Sequence, residues 1–147
     1  MSSYRQILFH IIFRTKESKK ALLGDTRELY AYITGIVRNK SGFLYQINGT
    51  EDHIHFLSDL HPSFALADFM REIKTSTSIW IKHRNKFPGF SGWADGYAAL
   101  TYGLRDKDRI VNYIKNQQVH HMQESFEDVY RRLLIGNGIV IDERYFP

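Results

Sequence analysis

Residues Glu51 to Leu57 alternate imidazole with apolar side chains, His53-Ile54-His55-Phe56, and a period of two is the signature of an extended strand. On such a strand His53 and His55 face one side while Ile54 and Phe56 enter a core on the other. A chain carrying this segment needs a sheet, and the Gly49-Thr50 turn before it points to an antiparallel neighbour in Phe43 to Asn48.

The remaining periodicities place helices around that sheet. Tyr4 to Arg14 reads as a β-branched and aromatic strand, and Asp25 as the cap of a helix running through Lys40 with Leu29, Ile33, Ile36 and Val37 as its apolar stripe. Pro62-Ser63 opens a second helix, Phe64 to about His83, in which Leu66, Phe69, Met70, Ile73, Thr77 and Trp80 recur at helical spacing. A Gly/aromatic segment from Phe87 to Gly96 leads to a strand, Tyr97 to Tyr102. Asp106 then caps a helix reaching about His121, and Phe126 to Ile135 forms a last one. With 147 residues and no linker or repeat, we expect one α+β domain over 1–147: an antiparallel sheet with helices packed on one face.

Composition narrows the chemistry. The absence of cysteine excludes a disulfide framework, a thiolate nucleophile and a Cys-type zinc site, leaving imidazole, carboxylate and amide as ligands. No apolar run approaches the roughly 18 residues of a membrane span, and the N-terminus lacks a signal-peptide pattern, so we expect a cytoplasmic protein without a membrane partner. A net charge of +4 suits a polyanion, and equally an ordinary basic protein.

Two histidines two residues apart form half of a cation site, or else cross-strand hydrogen-bonding partners; for the motif alone the two readings weigh about equally. A nucleotide-hydrolase histidine triad would need a third histidine at Leu57, and a cupin-like barrel a downstream glutamate where only Asp59 stands. Tyr113 and Gln117 lie four apart in the helix from Asp106 and share a face, with Ile110, Val111 and Ile114 as the buried stripe. A tyrosine on a half-buried helix is most often packing. Its phenol, with an ordinary pKa of about 10, is also a nucleophile able to attack phosphorus and leave again. Gln117 offers a carbonyl oxygen to Mg²⁺ or Mn²⁺ beside His53 and His55. His120 and His121 read chiefly as helix-end residues interacting with the dipole. Arg14, Lys16, Lys19 and Lys20, with Tyr45, Trp93 and Tyr97, are candidates for contacting single-stranded nucleic acid, although the lysines also suit a solvated loop and the aromatics a core.

The order strand, helix, strand, His-Ile-His strand, helix, Gly/aromatic segment and Tyr-x-x-x-Gln helix resembles the single-tyrosine HUH transposases of the IS200/IS605 group, from Tyr4 to about Tyr145. Trp93-Ala-Asp-Gly-Tyr-Ala-Ala-Leu-Thr-Tyr102 resembles their segment before the catalytic helix. The resemblance implies an RNA-recognition-like (ferredoxin-like) fold, a divalent metal on His53, His55 and Gln117, and Tyr113 as the nucleophile forming a 5′-phosphotyrosine. It implies further a homodimer acting on single-stranded DNA with hairpins. Gly89, Gly92 and Gly96 would let the Tyr113 helix reach a partner's histidines, so that sites are shared in trans. A related enzyme domesticated for palindromic repeats or replication initiation, and a non-catalytic nucleic-acid-binding module, are the rival readings.

Overall fold

The fold is taken from a computed structural model that describes residues 3–146, apart from the side chain of His121. Four strands, β1 (Phe9–Arg14), β2 (Leu44–Gly49), β3 (His53–Ser58) and β4 (Ala98–Thr101), form one sheet in the order β2-β3-β1-β4, every adjacent pair antiparallel. Helix α1 (Arg27–Asn39) joins β1 to β2, and α2 (Leu66–Arg84) joins β3 to β4. This is the βαββαβ order of a ferredoxin-like fold. Three helices follow: α3 (Lys107–Lys115), α4 (Gln117–Gln123) and α5 (Phe126–Gly136). None of the described helices is long and apolar enough to cross a membrane.

Strand β3 is the centre of the design, since all six of its residues are buried. Ile54 and Phe56 join Ile11 and Phe13 of β1 beneath α1 and α2, whose Leu29, Ile33, Val37, Phe69, Met70, Ile73 and Ile81 complete the main core. The opposite side carries His10, Ile12, His53, His55 and Leu57 together with Ala98 and Leu100 of β4. Helices were expected on one face only, and that is corrected here: α1 and α2 take the first face, while α3 and α5 cover the second. Ile110 and Ile114 of α3 pack on Leu8 and Leu57, and Phe126 and Leu134 of α5 on Ile12, Ala98 and Leu100. A second face bearing leucine and isoleucine among imidazoles exposes too much apolar surface to stay uncovered.

Most expected elements are present with shifted ends. β1 starts at Phe9, where pairing with Ser58 and Thr101 begins; Tyr4 projects into solvent, 99% exposed. Asp25 accepts the backbone N–H of Arg27 but stands one residue before the cap position. Asp106 occupies the cap position of α3 without a side-chain capping bond; its carboxylate meets Arg109 instead. Ser125 caps α5 by accepting from the Asp128 N–H. The largest difference is a break at Asn116 (φ −100°, ψ 25°), which splits the expected Asp106–His121 helix into α3 and α4. Asn116 turns its amide back to donate to the Asn112 carbonyl, the local competition with helical bonding that disfavours asparagine inside helices.

The turn from β2 into β3 is tight enough to exclude a side chain. A Cβ on Gly49 would collide with the His53 carbonyl oxygen and lie 3.1 Å from the Ile54 Cα. Gly49→Ala is therefore expected to destabilise the fold by about 1–3 kcal/mol, read as a lower urea midpoint at unchanged slope.

Candidate active site

The two imidazoles of β3 are each held through Nδ1, by different partners. His53 Nδ1–H donates to Asp52 Oδ1 at 2.7 Å, and Thr50 Oγ1 donates to the same oxygen at 3.0 Å. The Phe126 ring stacks on His53 with centroids 4.1 Å apart. His55 Nδ1 shares a 2.8 Å hydrogen bond with Nε2 of His10, on the neighbouring strand. His10 was not singled out from sequence, where it is one histidine in a strand of apolar residues. The β1–β3 register sets it opposite Leu57 and so diagonal to His55. His10 and His55 are both 0% exposed. Burial pushes the His10 pKa down to about 4 and holds His55 well below the ordinary imidazole value, with His53 and His10 adding to the effect.

Tyr113 packs against His10 and His55, and Gln117 is buried beside it. The Tyr113 ring lies 6.0 Å from His55 and 6.1 Å from His10, centroid to centroid, and stacks on His120 at 4.8 Å. His120, read as a helix-end residue, thus packs against the phenol as well. Burial raises the Tyr113 pKa, so the resting group is the neutral phenol. Gln117, 2% exposed, donates through Nε2 to the Tyr113 carbonyl at 3.3 Å, which leaves its Oε1 as an acceptor. Although the break at Asn116 puts the two residues on different helices, an amide clamp fixes the junction. Asn48 Nδ2 donates to the Lys115 carbonyl and to Gln118 Oε1, each at 2.9 Å, and Gln118 Nε2 returns bonds to Asn48 Oδ1 and the Gly49 carbonyl. Asn48 is the register partner of His55. The nucleophile candidate thus lies over the imidazole of its own chain's β3.

The basic candidates divide. Arg14 is the register partner of His53 and lines a groove with Lys16, Asp95, Gly96, Arg144 and Tyr145. Lys16, Lys19 and Lys20 are exposed. Their loop is tied to the turn before β3: Thr15 N–H donates to the Asp52 carbonyl at 2.9 Å, and the N–H groups of Ala21 and Leu22 donate to that of Glu51. Trp93 is a core residue, edge-on to Phe13 and Phe90 with its indole N–H on Thr77 Oγ1. Tyr45 packs with Phe43 beneath Lys107, and Tyr97 lines a groove with Arg14, Phe126 and Tyr130.

Among the described residues, His10 Nδ1, His55 Nε2, Ser58 Oγ and the Tyr113 hydroxyl are buried without a hydrogen-bond partner. Buried polar atoms are ordinarily satisfied, and of these four the His55 nitrogen is the one whose chemistry suits a cation. No three described His, Cys, Asp or Glu side chains converge as a cation-binding group; the fitting donor set is His53, His55 and the Gln117 carbonyl oxygen. Such an incomplete set leaves positions for phosphate oxygens, and a mixture of nitrogen and oxygen donors suits Mn²⁺ or Mg²⁺.

The family profile described as "Transposase IS200 like" matches residues 3–117. The chain belongs to this family. Its match ends at Gln117 rather than near Tyr145, so most of α4, all of α5 and the tail lie beyond it. The transposase for insertion sequence element IS200 of Salmonella typhimurium is 27% identical over 119 residues, covering 74% of this chain and 75% of that protein. Two solved structures share the fold: a Deinococcus radiodurans R1 protein assigned as a transposase (TM-score 0.60, 22% identity, 80% of this chain and 95% of that one) and a REP-associated tyrosine transposase bound to a REP hairpin (TM-score 0.58, 18% identity, 100% and 98%).

If Gln117 donates to a cation, replacing it by alanine removes one donor that water can substitute. We expect Mn²⁺ affinity, followed by the free-ion paramagnetic resonance signal, to fall on the order of tenfold, ~1.4 kcal/mol; an unchanged titration would assign Gln117 to packing alone.

Proposed function

We propose that this transposase-family chain cleaves and rejoins single-stranded DNA through Tyr113. The observation that supports the reading best is the approach of the Tyr113 ring to His55, 6.0 Å between centroids, beside a buried Gln117 bonded to the Tyr113 carbonyl. The Tyr113 oxygen attacks the scissile phosphorus; a Tyr113–O–P bond forms, the P–O3′ bond breaks, and the phenol's proton is lost while the departing 3′-oxygen gains one. The 5′-phosphotyrosine conserves the bond, so a DNA 3′-hydroxyl can later reverse the step without an external energy source. His53, His55 and Gln117 would hold a divalent cation, which when bound would polarise the phosphoryl oxygen. Asp52 and Thr50 orient His53, the Asn48–Gln118 clamp holds the α3–α4 junction over β3, and Arg14, with the loop carrying Lys16, Lys19 and Lys20, neutralises the strand's backbone.

Hairpins are the proposed binding partner, as in the hairpin-bound structural neighbour. That neighbour aligns with 100% of this chain, against 80% for the Deinococcus radiodurans structure. Its full-length alignment supports a second reading, processing of palindromic repeats, and comparing cleavage of a repeat palindrome with that of an element end separates the two. A homodimer of this chain would carry two self-contained sites.

Tyr113→Phe deletes one oxygen and little volume, so the fold and hairpin binding should persist while the covalent protein–DNA adduct on a denaturing gel disappears. Chelation by EDTA should abolish cleavage by the wild-type protein, and cleavage that survives it would remove the cation from the reading. Mixed under subunit exchange, Tyr113→Phe and His53→Ala proteins should stay inactive, because neither chain holds a whole site; restored cleavage would return the nucleophile to the partner.

A further inference from the structure

We infer that His10 is a positioning residue for the cation site: by accepting the Nδ1 proton of His55, it fixes the His55 tautomer that leaves an uncommitted lone pair on Nε2. The inference rests on reading His53, His55 and Gln117 as that site. It begins with a chemical choice that the 2.8 Å contact between His10 Nε2 and His55 Nδ1 imposes. One of the two nitrogens carries the hydrogen and the other accepts it. If His10 donates, neutral His55 bears its own proton on Nε2, and that nitrogen cannot ligate. If His55 donates, its Nε2 is a free lone pair, and His10 carries its proton on Nδ1. Only the second arrangement makes His55 a ligand.

The surroundings favour the second arrangement. His53 shows the same pattern one pleat away, with Nδ1 committed to the Asp52 carboxylate. Each imidazole of the pair thus has its Nδ1 occupied by a fixed group on an adjacent structural element, which is how ligating histidines are oriented. A pair of histidines buried only to satisfy each other would leave little polar capacity over. Here His10 Nδ1 and His55 Nε2 both remain without partners among the described residues, so mutual satisfaction does not account for the pair. The rings are also set firmly, on adjacent strands of one sheet at a centroid distance of 5.1 Å.

Two substitutions separate positioning from packing. His10→Leu keeps similar bulk and removes the acceptor, whereas His10→Gln offers a carbonyl oxygen in the same region. With the full chain stripped of metal and titrated with Mn²⁺ by paramagnetic resonance, His10→Leu should raise the dissociation constant about 10- to 100-fold while circular dichroism stays as in the wild type. His10→Gln should recover most of that loss. Wild-type affinity in His10→Leu, or a glutamine variant no better than the leucine one, overturns the inference. Should His10→Leu not fold, the long-range ¹H–¹⁵N spectrum of the labelled wild-type chain decides: a proton on His55 Nδ1 upholds the inference and a proton on Nε2 overturns it. His55→Ala and the wild type are titrated alongside. If the wild type binds no Mn²⁺, or His55→Ala binds as well as it does, the cation-site reading itself falls; if both controls behave, only the role of His10 is at stake.

Discussion

A strand buried on both faces leaves no tolerant side for an error of register. β3 is such a strand: Ile54 and Phe56 are fully enclosed by the α1–α2 core, and His53 and His55 are enclosed by α3, α5 and β1. A slip of one residue would drive both imidazoles into the apolar core and send isoleucine and phenylalanine to the polar side. The same pleat therefore specifies the fold and the site. Every other element supports one of its two faces.

The polar face is arranged so that burial and hydrogen bonding act together. Enclosure keeps His10 and His55 in their neutral forms, the forms in which an imidazole can accept a hydrogen bond or ligate a cation. Asp52, Thr50 and His10 take up the inner nitrogens. From the other side, the Asn48–Gln118 amide pair links the α3–α4 junction to the end of β2. The phenol on α3 is thus positioned by a neighbour of His55 in the sheet, not by its own short helix alone.

Local periodicity made much of this legible. The alternation around His53 and His55, the stripes of α1 and α2, and the helix expected from Phe64 to about His83 all follow from nearest-neighbour chemistry, whereas Tyr113 and Gln117 stay neighbours across a helix break that their spacing did not announce. What escaped depends on long-range pairing. His10 acquires meaning only once β1 and β3 are in register, and a lone histidine between Phe9 and Ile11 carries no local sign of its partner. The break at Asn116 is set by one side chain competing with helical bonds inside an otherwise apolar-periodic stretch. The cover on the second sheet face depends on where α5 and the tail return, which their own sequences do not state. Trp93, with its aromatic neighbours, could equally have been a base platform or a core residue until Phe13 and Phe90 enclosed it.

The bonds between the Thr15–Leu22 segment and the Glu51–Asp52 turn have a metric consequence. Backbone hydrogen bonds at both ends of that basic segment tie it to the residues that open the histidine strand. Lys16, Lys19 and Lys20, all exposed, are thereby anchored beside His53. Under the proposed reading, the spacing between a phosphate held there and the bond offered to Tyr113 would be a property of the protein fold and not of the DNA sequence.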